Sequence, residues 1–473
     1  MSRNSAIAVP GLTWRSPRER ADDGRAARAR SPRSGHGDYD PGRQRTDPIA
    51  IIEKQSAVRV QELVPIRYGR MSESPFRFYR GAAAIMASDL ADTPASGIRA
   101  QLCGDAHLLN FRLLASPERR LVFDINDFDE TLPGPWEWDV KRLATSMVIA
   151  ARENGFSEAE RAAIVRTTVR SYRQRMRRFA GMGNLPVWYT QADAETLEAV
   201  ASGRLHRRGR KELSKALAKA RTRDTMQAFE RLTEVVGGKR RIAPQPPVVT
   251  RLTDLLPRVE RQVLEGMLRN LIGRYGSTLQ SDRQHLLGEY TLVDMARKVV
   301  GVGSVGTRCW IVLLLGRDGE DPLFLQAKEA DESVLAAHAG ASRYATQGER
   351  VVAGQRLMQA TSDIFLGWEH VLAPDGVERD FYVRQLRDWK GIVDPSMMVP
   401  SGLELFGELC GATLARAHAR SGDRIGIAAY LGGGDVFDRA LVRFAESYAD
   451  QNERDHQALL DAVKSGRVTA EEA

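Results

Sequence analysis

The sequence predicts an α+β fold. Amphipathic helical periodicity dominates both flanks of the chain, and between them lies a stretch of apolar, β-branched runs separated by glycine turns. At 473 residues the chain is about three times a typical domain length, enough for two or three packed units. Its 42% hydrophobic and 27% charged content excludes collagen-like, disulfide-scaffold and wholly disordered classes.

Residues 1–47 are rich in Arg, Ser, Pro, Gly and Ala and poor in aliphatic side chains, so they read as a disordered tail. Ten Arg against six acids in the first 50 residues account for half of the net charge of +8, which makes that charge a weak guide to partners. Residues 48–180 begin with strand-like runs and turn signals. They continue into two amphipathic helices, VKRLATSMVIAAREN and AERAAIVRTTVRSYRQRMRRF. Residues 181–290 read as a helical insert. Within it, Ala201 to Arg223 holds nine Lys and Arg against one Glu, and lacks the interleaved aromatics that stack on bases. A solvated helix face is the simpler reading of that stretch, and a nucleic-acid partner the weaker one.

Residues 291–388 change period. KVVGVGSVGTRCWIVLLLGRDGEDPLFLQAKEA predicts a three-stranded antiparallel meander, followed by a helix from Thr346 to Ser362 and strands around Asp363–Leu372 and Asp380–Leu386. Residues 389–473 are helical. The longest apolar run, Trp310 to Leu315, falls far short of the roughly 20 residues that span a bilayer, so no membrane partner is expected. Cys103, Cys309 and Cys410 lie far apart without CxxC pairing, which fits a reducing cytoplasm better than a zinc knuckle or disulfide framework.

Two constellations carry chemistry. The first is CGDAHLLNF, Cys103 to Phe111, followed by LVFDINDFDE, Leu121 to Glu130. Asp105 and Asn110 stand five apart in a short loop, and Asp127 ends an apolar strand-like run. One carboxylate that accepts a hydroxyl proton, with an amide oxygen and a second carboxylate holding magnesium, is what phosphoryl transfer needs. Asp and Asn also cap turns, which is the bland reading. Asp105, Asp124, Asp127, Asp129 and Glu130, however, repel one another unless a cation is near.

The second is GVGSVG, Gly301 to Gly306, with Gly301, Gly303, Ser304 and Gly306 as candidate phosphate-loop residues. A strand follows it rather than a helix, so it resembles a kinase phosphate-covering loop more than a dinucleotide fingerprint; a ligand-free hairpin is the alternative. Lys328 lies 22 residues beyond Gly306 in LFLQAKEA, and is one of only ten lysines beside 59 arginines. On an apolar strand its charge needs a partner, which nucleotide phosphates would supply, with Glu349 as orienting carboxylate and Glu332 as rival. An edge-strand lysine facing solvent is the alternative. SPFRFYRG, Ser74 to Gly81, reads as packing by Phe76, Phe78 and Tyr79, with Arg77 or Arg80 as a second-choice phosphate contact. Trp136 and Trp138 read as core anchors.

CGDAHLLNF with FDINDFDE and PGPWEWDVKRLA resembles the catalytic core of the aminoglycoside phosphotransferase and protein kinase superfamily, down to a second aspartate, Asp139, twelve positions beyond Asp127. SPFRFYRG, GERVVAGQR and LARAHARSGD resemble the bacterial domain of unknown function 2252 family along nearly the whole chain beyond the tail. The kinase resemblance implies a bilobed fold with ATP and Mg2+ as cofactors. It gives Asp105 as catalytic base, Asn110 and Asp127 as metal ligands, and the Gly301–Gly306 turn with Lys328 on the phosphates. Cys103 stands where that superfamily has histidine. The catalytic loop also precedes the glycine loop, so the order is circularly permuted: 291–388 becomes the small lobe, Phe381 to Asp388 the hinge strand, and 389–473 the remainder of the large lobe. The implied function is phosphoryl transfer to a small-molecule or protein hydroxyl. AMP transfer or nucleotide binding alone, a metal-dependent phosphohydrolase with Asp105, His107, Asp124 and Asp127 holding one or two ions, and a nucleic-acid-binding protein are the alternatives.

Overall fold

A computed structural model describes residues 15–42, 45–195, 197, 203, 207–222, 225–256, 261–299, 301–372, 376–386, 389, 391 and 394–471. In chain order it begins with helices α1 (Pro17–Arg30), α2 (Pro48–Ser56), α3 (Val64–Ser72), α4 (Pro75–Gly81) and α5 (Ala83–Ala91). Strands β1 (Arg99–Leu102), β2 (Phe111–Ala115), β3 (Leu121–Ile125) and β4 (Leu132–Pro135) lead to α6 (Trp136–Glu153), α7 (Glu158–Ala180) and α8 (Asn184–Tyr189). Next come α9 (Arg207–Thr222), α10 (Thr225–Leu232), β5 (Thr233–Val236), β6 (Lys239–Ile242), β7 (Val249–Arg251), α11 (Leu252–Leu255), α12 (Arg261–Ser277) and α13 (Ser281–Gly288). Then follow β8 (Thr291–Lys298), β9 (Cys309–Leu315), β10 (Pro322–Glu329), α14 (Ala336–Ala339), α15 (Gln347–Met358), β11 (Gly367–Leu372) and β12 (Glu378–Gln385). The chain closes with α16 (Pro400–Ser421), α17 (Arg424–Leu431) and α18 (Val436–Lys464).

Helix α6 is the axis of the helical part, and every residue from Trp136 to Ala151 is buried. It carries Glu137 and Asp139 in its first turn, where the helix dipole favours negative charge. Trp136 and Trp138 sit in the main core as expected, and the Trp136 ring stacks on Tyr172 of α7. Helix α16 lies so close to α7 that a Cβ at Gly411 would stand 2.2 Å from the Thr168 carbonyl oxygen. Only glycine permits that approach.

The second part is a six-stranded antiparallel sheet in the order β11-β12-β10-β9-β8-β7. Strand β10 alternates strictly. Leu323, Leu325 and Ala327 pack into one apolar cluster with Tyr275 of α12 and Leu279 just beyond it, while Phe324 packs on the other face with Phe229 of α10. The period of two therefore puts Gln326 and Lys328 on the face opposite the α12 cluster.

Two expectations are corrected. Residues 17–30, read as disordered, form α1: a Ser16/Glu19 capping box opens it, and Gly24 and Ala27 bury a small-residue face. Arg28 Nε donates to the Tyr430 carbonyl at 2.8 Å, and Arg28 and Arg33 also reach the Ala429 and Leu431 carbonyls at the end of α17. The arginines that looked like solvation thus satisfy helix-terminal carbonyls. The insert at 181–290 is not purely helical. TEVV-GG-KRRI forms the β5–β6 hairpin on two positive-φ glycines, and β7 extends the main sheet. Parts of the basic 201–223 stretch and residues 387–388 of the hinge segment lie outside the described residues.

Candidate functional site

A cleft of about 660 Å³ opens between the sheet, the β1–β4 segment and the α2–α4 helices. Asp105, Asn110, Asp127 and Lys328 all line it, together with Gly301, Gly303 and Ser304. Gly306 sits behind the turn, where its carbonyl accepts the Val60 N–H at 2.8 Å.

Lys328 is buried, and its ammonium contacts the Asp129 carboxylate and lies 3.9 Å from Asp127 Oδ2. The Tyr382 hydroxyl, opposite Lys328 in the ladder, donates to Asp129 Oδ1 at 2.6 Å. Burial pushes the Asp127 carboxyl up, but Lys328, Arg384 and Arg112 outweigh it and hold it below the ordinary range. Asp129 goes the other way, raised by burial and by the Asp127 charge. Glu349 is not the lysine's partner. It lies half-buried in the first turn of α15, its N–H on Thr346 Oγ1, and does not line the cleft. One residue later Arg350, turned to the buried face, donates to the Asp129, Thr131 and Asp331 carbonyls and ties α15 to the carboxylate loop.

Asp105 follows Gly104, whose φ of +83° and position against the Glu130 carbonyl leave no room for a side chain. The loop is fixed by one stripe of α6. Asp139 accepts the Cys103 and Gly104 N–H groups at 2.8 and 3.1 Å, Arg142 Nε donates to Asp105 Oδ1 at 2.6 Å, and Ser146 Oγ accepts the Leu108 N–H at 3.0 Å. His418 of α16 braces Asp139, with Nε2 3.2 Å from Oδ2. Burial raises the Asp105 carboxyl, assisted by Asp127 and opposed by Arg142. That shift suits a proton acceptor, and Asp105 lines the cleft with its Oδ2 3.7 Å from His107 Nε2.

The donor set suits magnesium. Asn110 Nδ2 donates to the Asp105 carbonyl, which leaves its Oδ1 free to accept, and Asp127, which lines the same cleft, is held ionised. Magnesium takes few protein oxygens and completes its shell with water and phosphate, so an amide oxygen and one carboxylate are enough. Among the described residues no group of three or more His, Cys, Asp or Glu is arranged to hold a metal. Asp124 is committed elsewhere, to Arg416 and the Ala360 N–H, which removes it from the ligand set of the hydrolase alternative.

The profile described as an uncharacterized protein conserved in bacteria (DUF2252) matches residues 59–462. The chain belongs to the DUF2252 family. No curated protein and no solved structure matches the sequence. The DUF2252 region contains the catalytic-loop candidates, the glycine turn and Lys328, while α1 and α2 precede it. Within it, sequence reasoning missed Arg142 and Ser146. Their signal was present: Asp139, Arg142 and Ser146 recur at helical spacing and so share one face of the helix. Arg80 was the second choice in its motif, yet it lines the cleft while Phe76, Phe78 and Tyr79 pack inward and Arg77 pairs with Glu73. Among the described residues no helix is long and apolar enough to cross a membrane.

Proposed function

We propose that this DUF2252 protein is an ATP- and magnesium-dependent phosphotransferase with a circularly permuted kinase-like fold, acting on the hydroxyl of a small molecule or protein. The observation that carries the reading is the meeting of Lys328 with the carboxylate loop, across 199 residues of sequence to Asp129, in a cleft that also holds the glycine turn and Asp105. A strand pair joined by a glycine turn, a lysine on the next strand and a helix after it is the small lobe the superfamily requires. The permutation has support at its seam. A Cβ at Gly422, just past α16, would stand 3.0 Å from the Arg99 carbonyl at the start of β1, so the helix expected to lead into the catalytic loop abuts that loop's strand.

Magnesium held by Asn110 and Asp127 would neutralise phosphate charge when bound. Asp105 then takes the proton of the acceptor hydroxyl as its oxygen bonds to the γ-phosphorus. The bond to the β-phosphate oxygen breaks and ADP leaves. Lys328 positions the phosphates, and Asp129 with Tyr382 keeps the lysine extended toward them. Arg142 and Asp139 hold the base loop in place, so most of the catalysis is positioning and charge complementarity.

The test is a thermal-shift titration with ATP and magnesium on wild type, Asp127→Ala and Lys328→Met. Wild type should gain stability, about 2.7 kcal/mol at a hundredfold excess over Kd, and both variants should lose most of that gain. A wild type that ignores millimolar nucleotide would remove the proposal. Product analysis with labelled ATP separates phosphoryl from AMP transfer and from binding alone.

A further inference from the structure

One wall of the cleft has no role in the chemistry above. Arg59, Arg80 and Arg112 reach into it from the α2–α3 connection, α4 and β2. None of the three is ion-paired to a carboxylate among the described residues: Arg59 reaches the Val305 carbonyl, Arg112 Nε the Leu109 carbonyl at 2.8 Å, and Arg80 Nε is buried without a hydrogen-bond partner. Of the nearby acids, Asp105 is engaged by Arg142, Asp129 by Lys328 and Tyr382, and Glu130 by the Val334 N–H at 2.7 Å, while Asp127, 3.9 Å from Lys328, also attracts Arg80 and Arg112. Three guanidinium groups are thus gathered on one wall of the cleft, one of them buried with an unpartnered N–H, at a cost that an anion would relieve.

The charge count gives the size of that anion. Eight Lys and Arg side chains and four carboxylates line the cleft. A magnesium nucleoside triphosphate brings about two net negative charges and so leaves a positive excess. A phosphomonoester carries about two more. Arginine's planar fork is suited to such a group.

We propose that the hydroxyl-bearing acceptor is a small phosphomonoester, whose phosphate is held by Arg80 and Arg112 on the Asp105 side of the cleft. This rests on the phosphotransferase reading and narrows its substrate class. It also sets the protein apart from phosphotransferases of cationic aminoglycosides, since a polyamine would meet the arginine wall with like charge.

The test is calorimetric titration of the full chain with inorganic phosphate, glycerol 3-phosphate and glycerol, with and without magnesium and a non-hydrolysable ATP analogue. Both phosphates should bind the nucleotide-loaded wild type, and glycerol should not. Arg80→Gln and Arg112→Gln should weaken phosphate binding about tenfold or more while the analogue binds as in wild type, and Lys328→Met should do the reverse. Arg112→Lys, which keeps the charge and loses the fork, should fall between and guards against a folding defect in the glutamine variant. Displacement of phosphate by the analogue, equal loss of both ligands in the arginine variants, or no phosphate binding at all would overturn the proposal. Arginine-dependent phosphate binding in a protein that ignores the analogue would fell the phosphotransferase reading and leave the anion site standing.

Discussion

Glu130 offers a sharp test of the carboxylate loop. Burial beside the Gly104 turn raises its carboxyl from 4.5 to about 7, although the Val334 N–H and Arg350 favour the ionised form. A raised acid binds a proton more tightly in the folded than in the unfolded chain, so its stabilising contribution is complete below 4.5 and disappears as pH rises through 7. Glu130→Gln fixes the neutral form at every pH and can still accept the Val334 N–H. Its advantage over wild type should therefore be near zero at about pH 4, roughly 2 kcal/mol at about pH 6, and level at roughly 3 kcal/mol above about pH 8. For a chain of this length that corresponds to a Tm difference of roughly 3 °C. Differential scanning calorimetry across this range, with the ligand-free protein, measures it. A variant whose Tm difference from wild type is flat with pH, or which is less stable throughout, would refute the reasoning by showing that Glu130 stays ionised.

Three further outcomes are expected. Gly104→Ala forces a side chain into positive φ and to within 2.4 Å of the Glu130 carbonyl oxygen, so it should lower stability by at least about 2 kcal/mol, read by denaturant unfolding. Arg142→Gln strips the buried cation from Asp105 and should cost about 3–5 kcal/mol. It should also raise the Asp105 carboxyl further, moving the acid limb of the kcat/KM profile to higher pH; an unmoved limb would count against Asp105 as the base. Removal of residues 1–31 should lower Tm, because Arg28 no longer satisfies the carbonyls ending α17, whereas loss of a disordered tail would leave Tm unchanged.

The residues that meet in the cleft were legible where local pattern and chemistry coincide. A lysine two places from Gln326 on an alternating strand has its face fixed by the pleat, and five crowded acids advertise a cation. Glu349 failed because a helix residue's reach depends on its angular position. One step along α15 swings the side chain by about 100°, and it was Arg350 that faced inward. Helix α1 was hidden because aliphatic content underrates an Ala and Gly face whose burial is made possible by a distant helix end. The β5–β6 hairpin was missed although a Gly-Gly pair between two short runs is a hairpin signal. Arg80 depended on contacts between segments far apart in sequence, which spacing alone does not encode.

The distance in sequence between Asp129 and Lys328 also sets a schedule for synthesis. The Cys103–Asp105 turn meets its anchors Asp139 and Arg142 almost as soon as α6 leaves the ribosome, since fewer than 40 residues separate them. Asp129 must wait 199 residues for its lysine, about 10–40 s at ordinary elongation rates, and Asp124 must wait 292 for Arg416. Through that interval the nascent chain carries acids with no cation to close on, so the amino-terminal half alone should emerge as an open, protease-sensitive intermediate that becomes resistant only once α16 has been made.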